Sequence, residues 1–497
     1  MIFAGRALVM RALSLSWQIS LALLYSSTEF KNINFVLEMS LKNTDFMAND
    51  SVAFAYLKLS IPVFFGMSIQ GLYGIIDAIF ITKYIGKDAM AGFSIFFPIL
   101  LLVGAVGVML GTGAAVLVAR FLGANKISLA NRIAIQAIFM GGVWAICFSV
   151  LFLTWAREIL LFLGATESIV NYAVDFATPL VLCLPIIVIA TIFGDLLRAE
   201  GKTNAMFAIM LCASILNVAF DFIFIVVFEM GIFGAAIATV LANTLALICA
   251  VLLFYSDHTR LTLSLTYFGI GVKECKDIVL IGLPTLIGNL SYGILIFTIN
   301  YLIKASEAEN AGDMISAFGL VFRVLSFVVL PLIAMMSALQ TLSSYNFGAE
   351  KYNRCIKSLK VALLYASFYS ISMTLLVITL PEQLYGLFTD DKNLLLEIFN
   401  ISFFIFLGLF FLGGLLVFIG FLQSVKKEKY SMLLVFLKLF LQVSLTFSLS
   451  FLFGVGCFPL ILFSVDLLVF VLAVVLSLIA LGNLVSKPAN VQVCQVI

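Results

Sequence analysis

The sequence predicts an all-α membrane protein, with twelve transmembrane helices in two six-helix parallel repeats, or lobes, around a central cavity. Three observations predict it. Of the 497 residues, 63% are hydrophobic and 11% charged, whereas soluble domains have roughly 45–50% apolar and about 25% charged residues. Twelve apolar runs long enough to cross a bilayer follow one another, separated by short polar turns. Loop sequences of the first half return in the second about 225 residues later.

The runs cover about 55–82, 91–119, 133–156, 170–197, 205–228 and 232–255, then 278–303, 313–341, 358–380, 394–423, 431–453 and 456–481. Runs of this length cross hydrocarbon as helices, because lipid cannot satisfy open backbone groups. Their direction follows from Lys and Arg, which favour cytoplasmic loops. If span 1 starts inside, the inner loops contain fifteen of these residues, among them Arg120, Arg132, Arg198, Lys202, Lys351, Arg354 and Lys427. The outer loops contain five: Lys83, Lys87, Arg157, Lys304 and Lys392. Both termini are therefore expected in the cytoplasm of a cell with this as a multi-pass membrane protein.

The expected organisation is an N-terminal extension (1–50), an N-terminal six-helix lobe (51–258), a cytoplasmic linker (259–277), a C-terminal six-helix lobe (278–482) and a cytoplasmic tail (483–497). In the extension, Arg6 and Arg11 precede a weak apolar stretch, Ala12 to Tyr25. A signal peptide and a surface-lying amphipathic segment are both open readings. The favoured one is that translation starts at Met39 or Met47 and that the residues before it are an over-long reading of the gene.

The composition also excludes function classes. A net charge of +2 excludes nucleic acid held by bulk electrostatics. The lone histidine, His258, falls in a loop, and no catalytic constellation lies in the spans, so no enzyme is expected. The eight cysteines are scattered without a C-x-x-C pair, which indicates neither a zinc site nor a redox motif. No cofactor is expected.

The repeat is carried by three landmarks. Arg120-Phe-Leu-Gly-Ala-Asn-Lys126 after span 2 matches Tyr345-Asn-Phe-Gly-Ala-Glu-Lys351 after span 8. The loop Leu197 to Met206 matches Leu422 to Met432, and Pro62 in span 1 matches Pro284 in span 7. Two halves in the same orientation place a substrate site between them near the bilayer midplane, with rocking of one half on the other as the natural mechanism.

Within the spans, carboxylates cost about 2.5–3.5 kcal/mol each on the insertion scale, so each needs a reason. Asp77 in span 1 and Asp221 in span 5 lie six and eight residues from the outer end, roughly 9–12 Å deep at the helical rise. Thr239 in span 6 reaches a similar depth, and Asn217 lies one turn from Asp221 on the same face. Two carboxylates, an amide and a hydroxyl suit a small hard cation; the same pocket suits protons. Arg323 in span 8 and Lys438 in span 11 lie within snorkelling reach of a surface. Asp466 in span 12 is a possible partner for Lys438, and Asp195 is expected near Arg198 at the inner interface. Gly107 and Gly111 form a small-residue face suited to close helix packing.

Gly74-Ile-Ile-Asp77-Ala-Ile-Phe80, Phe121-Leu-Gly-Ala124, Leu197-Arg-Ala-Glu-Gly201, Ile215-Leu-Asn217-Val-Ala-Phe-Asp221, Gly234-Ala-Ala-Ile-Ala-Thr239 and Tyr345-Asn-Phe-Gly-Ala349 together resemble the multidrug and toxic compound extrusion (MATE) transporters, in order from about residue 50 to 480. The resemblance implies a two-lobed bacterial exporter of amphipathic organic cations, driven by H⁺ or Na⁺ and working as a monomer in the cytoplasmic membrane. By motif position, its cation-coupling residues are Asp77, Asn217, Asp221 and Thr239. Arg323 matches a basic residue common in the family's eighth helix. Acidic residues found in helices 7 and 10 of some members are missing from span 7 and from the body of span 10; Asn289 and Asn300 are the polar residues of span 7. That departure argues against a second cation site and leaves Arg323, Asn289 and Asn300 as substrate-binding or structural candidates. The alternative function is a lipid-linked saccharide flippase of related architecture, which is expected to need more Arg and Lys in its cavity than Arg323 and Lys438.

Overall fold

A computed structural model describes residues 46–256, 259–267, 269, 271–306, 311–386, 389 and 391–485. Arg6, Arg11, Ala12 to Tyr25, Met39, His258, Cys494 and most of the 483–497 tail lie outside the described residues. Among the described residues eleven helices are long and apolar enough to cross a membrane, and a bent pair makes a twelfth span. In chain order the first half contains α1 (Val52–Phe80), α2 (Lys87–Gly123), α3 (Ile127–Thr154), α4a (Val170–Leu182), α4b (Leu184–Ala199), α5 (Thr203–Asp221) and α6 (Gly231–Tyr255). The second contains α7 (Val272–Ala305), α8 (Ala311–Gly348), α9 (Tyr352–Thr379), α10 (Lys392–Ser424), α11 (Glu428–Phe453) and α12 (Phe458–Val485).

Two departures from regular helix were not expected. The fourth span is not one helix over 170–197 but two, bent by 56° at Cys183. Pro185 supplies the physical reason: it has no N–H to continue the ladder, and its ring crowds the carbonyl one turn back. The other departure is a pair of π-helical turns, Ile81–Ile85 continuing α1 and Phe222–Val227 continuing α5. The two π turns touch each other.

The halves meet through α1, α2, α7 and α8, and each of these four helices has an internal proline: Pro62, Pro98, Pro284 and Pro331. At the end bearing the Arg- and Lys-rich loops, here the basic end, their backbones come into direct contact. A Cβ on Gly123 would overlap the carbonyl oxygen of Tyr345, and one on Gly348 would overlap that of Arg120. Further along, Gly113 of α2 lies against the carbonyl of Ile278, and Gly282 of α7 against that of Met109. Without a hydrophobic force between helices in lipid, such close approach gains dispersion contacts that larger residues would prevent.

Hydrogen bonds reinforce this seam. Arg120 donates to the carbonyl oxygens of Gln423 and Ser424 at 3.1 and 3.0 Å. Arg198 donates to the carbonyl of Ser337 at 3.1 Å and to Thr341 Oγ1 at 3.2 Å, and is paired with Asp195 at 2.7 Å. The Tyr56 hydroxyl donates to the Met335 carbonyl at 3.1 Å. Phe46–Asn49 forms a short helix whose Met47 carbonyl accepts from Asn346 and Arg354, both at 3.1 Å. The buried Met47 is thus packed against the second half. The connection between halves is tied to the first: Leu261 N donates to Glu200 at 2.7 Å, and Thr262 exchanges two hydrogen bonds with Asn131.

Candidate functional site

Asp77 falls in the last turn of α1 and Asp221 is the last residue of α5, so each carboxylate sits immediately before a π turn. A π turn widens the helix and frees a backbone step, and such turns often occur at functional sites. Helix α5 packs between α1 and α6, which brings the helices of all four sequence-predicted residues together. Asn217 and Asp221 are one turn apart on the face of α5 turned inward; both are buried, Asp221 completely. Asn217 Nδ2 donates to Thr239 Oγ1 of α6 at 3.3 Å. Asp77, 6% exposed, approaches from α1, which packs against α5.

The hydrogen-bond accounting of this cluster does not close. Asp77 Oδ1, Asn217 Oδ1 and both carboxylate oxygens of Asp221 are buried without a donor among the described residues. A buried acceptor without a partner costs about 1–3 kcal/mol, and more when charged. Carboxylate, amide and hydroxyl oxygens buried together are chemically matched to a proton or a small hard cation. Among the described residues no group of three or more His, Cys, Asp and Glu converges, so a site for a resident transition metal is not formed there.

Sequence reading missed the residues flanking the acids. Tyr73 lies within range of both carboxylates and shares a hydrogen bond with Gln70. Gln70, Tyr73 and Asp77 are spaced three and four apart, which places them on one face of α1; that spacing was the available signal. Asn243, one turn beyond Thr239, donates to the Thr239 carbonyl at 2.8 Å.

The remaining candidates are not part of this cluster. Arg323 is exposed on α8 and has no hydrogen bond or ion pair among the described residues. Asn289 is exposed on α7 and donates to the Thr285 carbonyl at 3.0 Å. Asn300 is half-buried farther along the same helix. Lys438 and Asp466 do meet, at 2.7 Å, inside the second half. A second buried pair lies outside the spans: Lys202 Nζ is 2.7 Å from Glu200 in the turn between α4b and α5. Burial pushes the Glu200 carboxyl up and the Lys202 ammonium down from their usual ranges, and their mutual attraction opposes both shifts.

Fold and cluster together define a two-lobed, twelve-span helical membrane protein with ionisable residues buried in its first lobe. The chain belongs to the MatE family: the family model matches residues 62–223 and 284–448, one stretch in each half and more than half of the chain. It is 22% identical over 401 residues to the multidrug export protein MepA of Staphylococcus aureus strain MSSA476, covering 80% of this chain and 88% of that one. A solved structure described as an outward-facing conformation of a multidrug resistance MATE family transporter superposes with a TM-score of 0.83 at 21% identity, over 90% of this chain and 99% of the other. A MATE structure in its bent conformation gives a TM-score of 0.84 at 21% identity, over 90% and 100% of the two chains. These likenesses show a shared fold.

Proposed function

We propose that the protein is a secondary active multidrug efflux transporter, which exports amphipathic organic cations in exchange for inward-moving H⁺ or Na⁺ by alternating access. The observation that carries this reading is the set of buried, donorless oxygens on Asp77, Asn217 and Asp221. The names of the relatives, multidrug export proteins, support the substrate class. In this reading the basic end faces the cytoplasm of a bacterial cell, and the coupling ion reaches the Asp77, Asn217, Asp221 and Thr239 cluster from outside, with no other cofactor. The protein acts as a monomer in the cytoplasmic membrane.

Coupling requires that ion and substrate bind the two states of the transporter unequally. Neutralising Asp77 and Asp221 removes the cost of burying their charges, so the α1–α5 interface packs more tightly when the ion is bound. An organic cation loses its counter-charge in the same step and is released outward. Arg323, Asn289 and Asn300 are left as candidates for substrate contact or packing.

The test is export of a fluorescent organic cation from reconstituted vesicles, with a pH or a Na⁺ gradient imposed separately, for wild type and Asp77→Asn. Gradient-driven export lost in the variant is the expected result and identifies the ion. A folded variant that exports as well as wild type would remove the carboxylate mechanism.

A further inference from the structure

The second lobe has a cavity of about 380 Å³ at the end opposite the basic loops, between α7, α8, α10 and the start of α12. Its lining includes Phe318, Phe404 and Phe458, together with Glu397, Asn400 and Cys457. The volume falls in the range that holds a small organic ligand.

Charge decides which ligand. Glu397 is the one ionisable acid or base among the lining residues apart from the Cys457 thiol, and it makes no hydrogen bond or ion pair among the described residues. Lys304 follows the lining residue Ile303 but is exposed, about 100° round the helix from it. Beneath the cavity, Glu397, Ile401, Phe404 and Gly408 follow one face of α10, while Phe458, Leu462 and Asp466 follow one face of α12. Gly408 lies against Asp466, whose carboxylate is paired with Lys438. Asp466, roughly 12 Å from Phe458 at the helical rise, is thus already paired and does not line the cavity, and among the lining residues the one carboxylate is that of Glu397. Three aromatic walls suit a flat apolar body and, by their ring faces, a cation. A bare or hydrated inorganic ion would gain nothing from those walls.

We propose that this cavity is a second binding site, distinct from the Asp77–Asp221 cluster, for an amphipathic organic cation whose charge is met by Glu397. Its ligand class rests on the transport reading above; its location does not. The site lies in the lobe that lacks the coupling carboxylates, so a ligand there is held independently of the coupling ion.

Cys457 provides a local reporter. Purified full-length protein is labelled with N-ethylmaleimide, with and without ethidium, and modification of Cys457 and of the exposed Cys147 on α3 is followed by peptide mass spectrometry. Ethidium should slow labelling of Cys457 several-fold and leave Cys147 unchanged. Glu397→Gln should weaken the ethidium affinity read by this protection about tenfold, and Glu397→Lys more. Asp77→Asn should retain the protection even where it abolishes gradient-driven export, which separates failure of the transport reading from failure of this site. Fluorescence titration of ethidium with Phe404→Ala gives a second readout, expected to show loss of the binding component that Glu397→Gln weakens. Equal labelling of Cys457 with and without saturating ethidium would overturn the proposal. So would unchanged affinity in both Glu397 variants, or equal protection by an uncharged aromatic compound of similar size.

Discussion

Gly123 of α2 and Gly348 of α8 exchange equivalent contacts: each presses its bare Cα face against the backbone three residues upstream of the other, at Tyr345 and Arg120. The two contacts are related by the repeat, about 225 residues apart in each case. The Gly-Ala loops that look like a mere echo in the sequence are thus the two sides of one junction, and the internal symmetry is closed on itself at the basic end.

Substituting either glycine by alanine should force the helices apart there. The neighbour is a backbone carbonyl, which has no rotamer by which to yield. A loss of about 1–3 kcal/mol is expected, as for other overpacked sites. Cys355 of α9 is completely buried near this junction, with its thiol against the Ser343 carbonyl. Its labelling by maleimide should accelerate in Gly123→Ala and Gly348→Ala, and a labelling rate equal to wild type would show that the junction absorbs the methyl group.

Arg120 is the polar part of the same seam. Its two bonds to the carbonyls of Gln423 and Ser424 cross from one lobe to the other and tie the lobes together at the basic end. Arg120→Ala should therefore favour the state open at the basic end. In the Proposed function assay this appears as weaker outward release, and by direct labelling as faster modification of Cys355. Arg120→Lys should recover part of the effect, since an ammonium is a point donor and does not reproduce the guanidinium fork.

How much of this was legible beforehand depended on whether the signal was local. The spans, their number and the repeat follow from hydropathy and loop residues, because lipid imposes a length and a composition on each helix. Asn217 and Asp221 share a face by a spacing of four, and Thr239 was placed beside them by depth alone. Pro179 and Pro185 do not by themselves locate the break at Cys183, since spans tolerate proline when neighbours satisfy the freed groups. The π turns after Asp77 and Asp221 have no residue signature. Lys438 and Asp466 have compatible depths, but their meeting depends on the rotation of α11 and α12, which apolar sequence does not determine. Glu200 has no local signal beyond its motif, because its burial under the linker at Leu261 is a long-range fact.

At the cluster itself, Asp221→Asn should separate function from stability. The native carboxylate is completely buried and both its oxygens are without donors, so a neutral amide of the same shape removes a charge that the fold does not compensate. Thermal stability should be unchanged or higher, while ion-driven export falls by at least about tenfold. A stability loss comparable with the export loss would instead mark Asp221 as a packing residue.

The Glu200–Lys202 pair gives the opposite expectation, because here both charges are compensated. Glu200 Oε1 accepts from Leu261 N and Oε2 meets Lys202 Nζ, each at 2.7 Å, and both side chains are buried. Glu200→Gln leaves the Lys202 ammonium without its main counter-charge, at a cost of about 3–5 kcal/mol for a broken buried pair. Burial already lowers Lys202 below the ordinary lysine value of 10.5, and Glu200 is the group that holds it up; removing Glu200 lowers it further. A depressed value in the folded state means that Lys202's contribution is fully present above the unfolded value and is lost as pH falls through the folded one. The melting temperature of Glu200→Gln should therefore fall from pH 10 towards pH 7 more steeply than that of wild type. Glu200→Gln combined with Lys202→Met should recover much of the loss and flatten the profile. Parallel pH profiles for wild type and Glu200→Gln would mean that Lys202 is held by other partners and that the pair is incidental to the stability of the turn between α4b and α5.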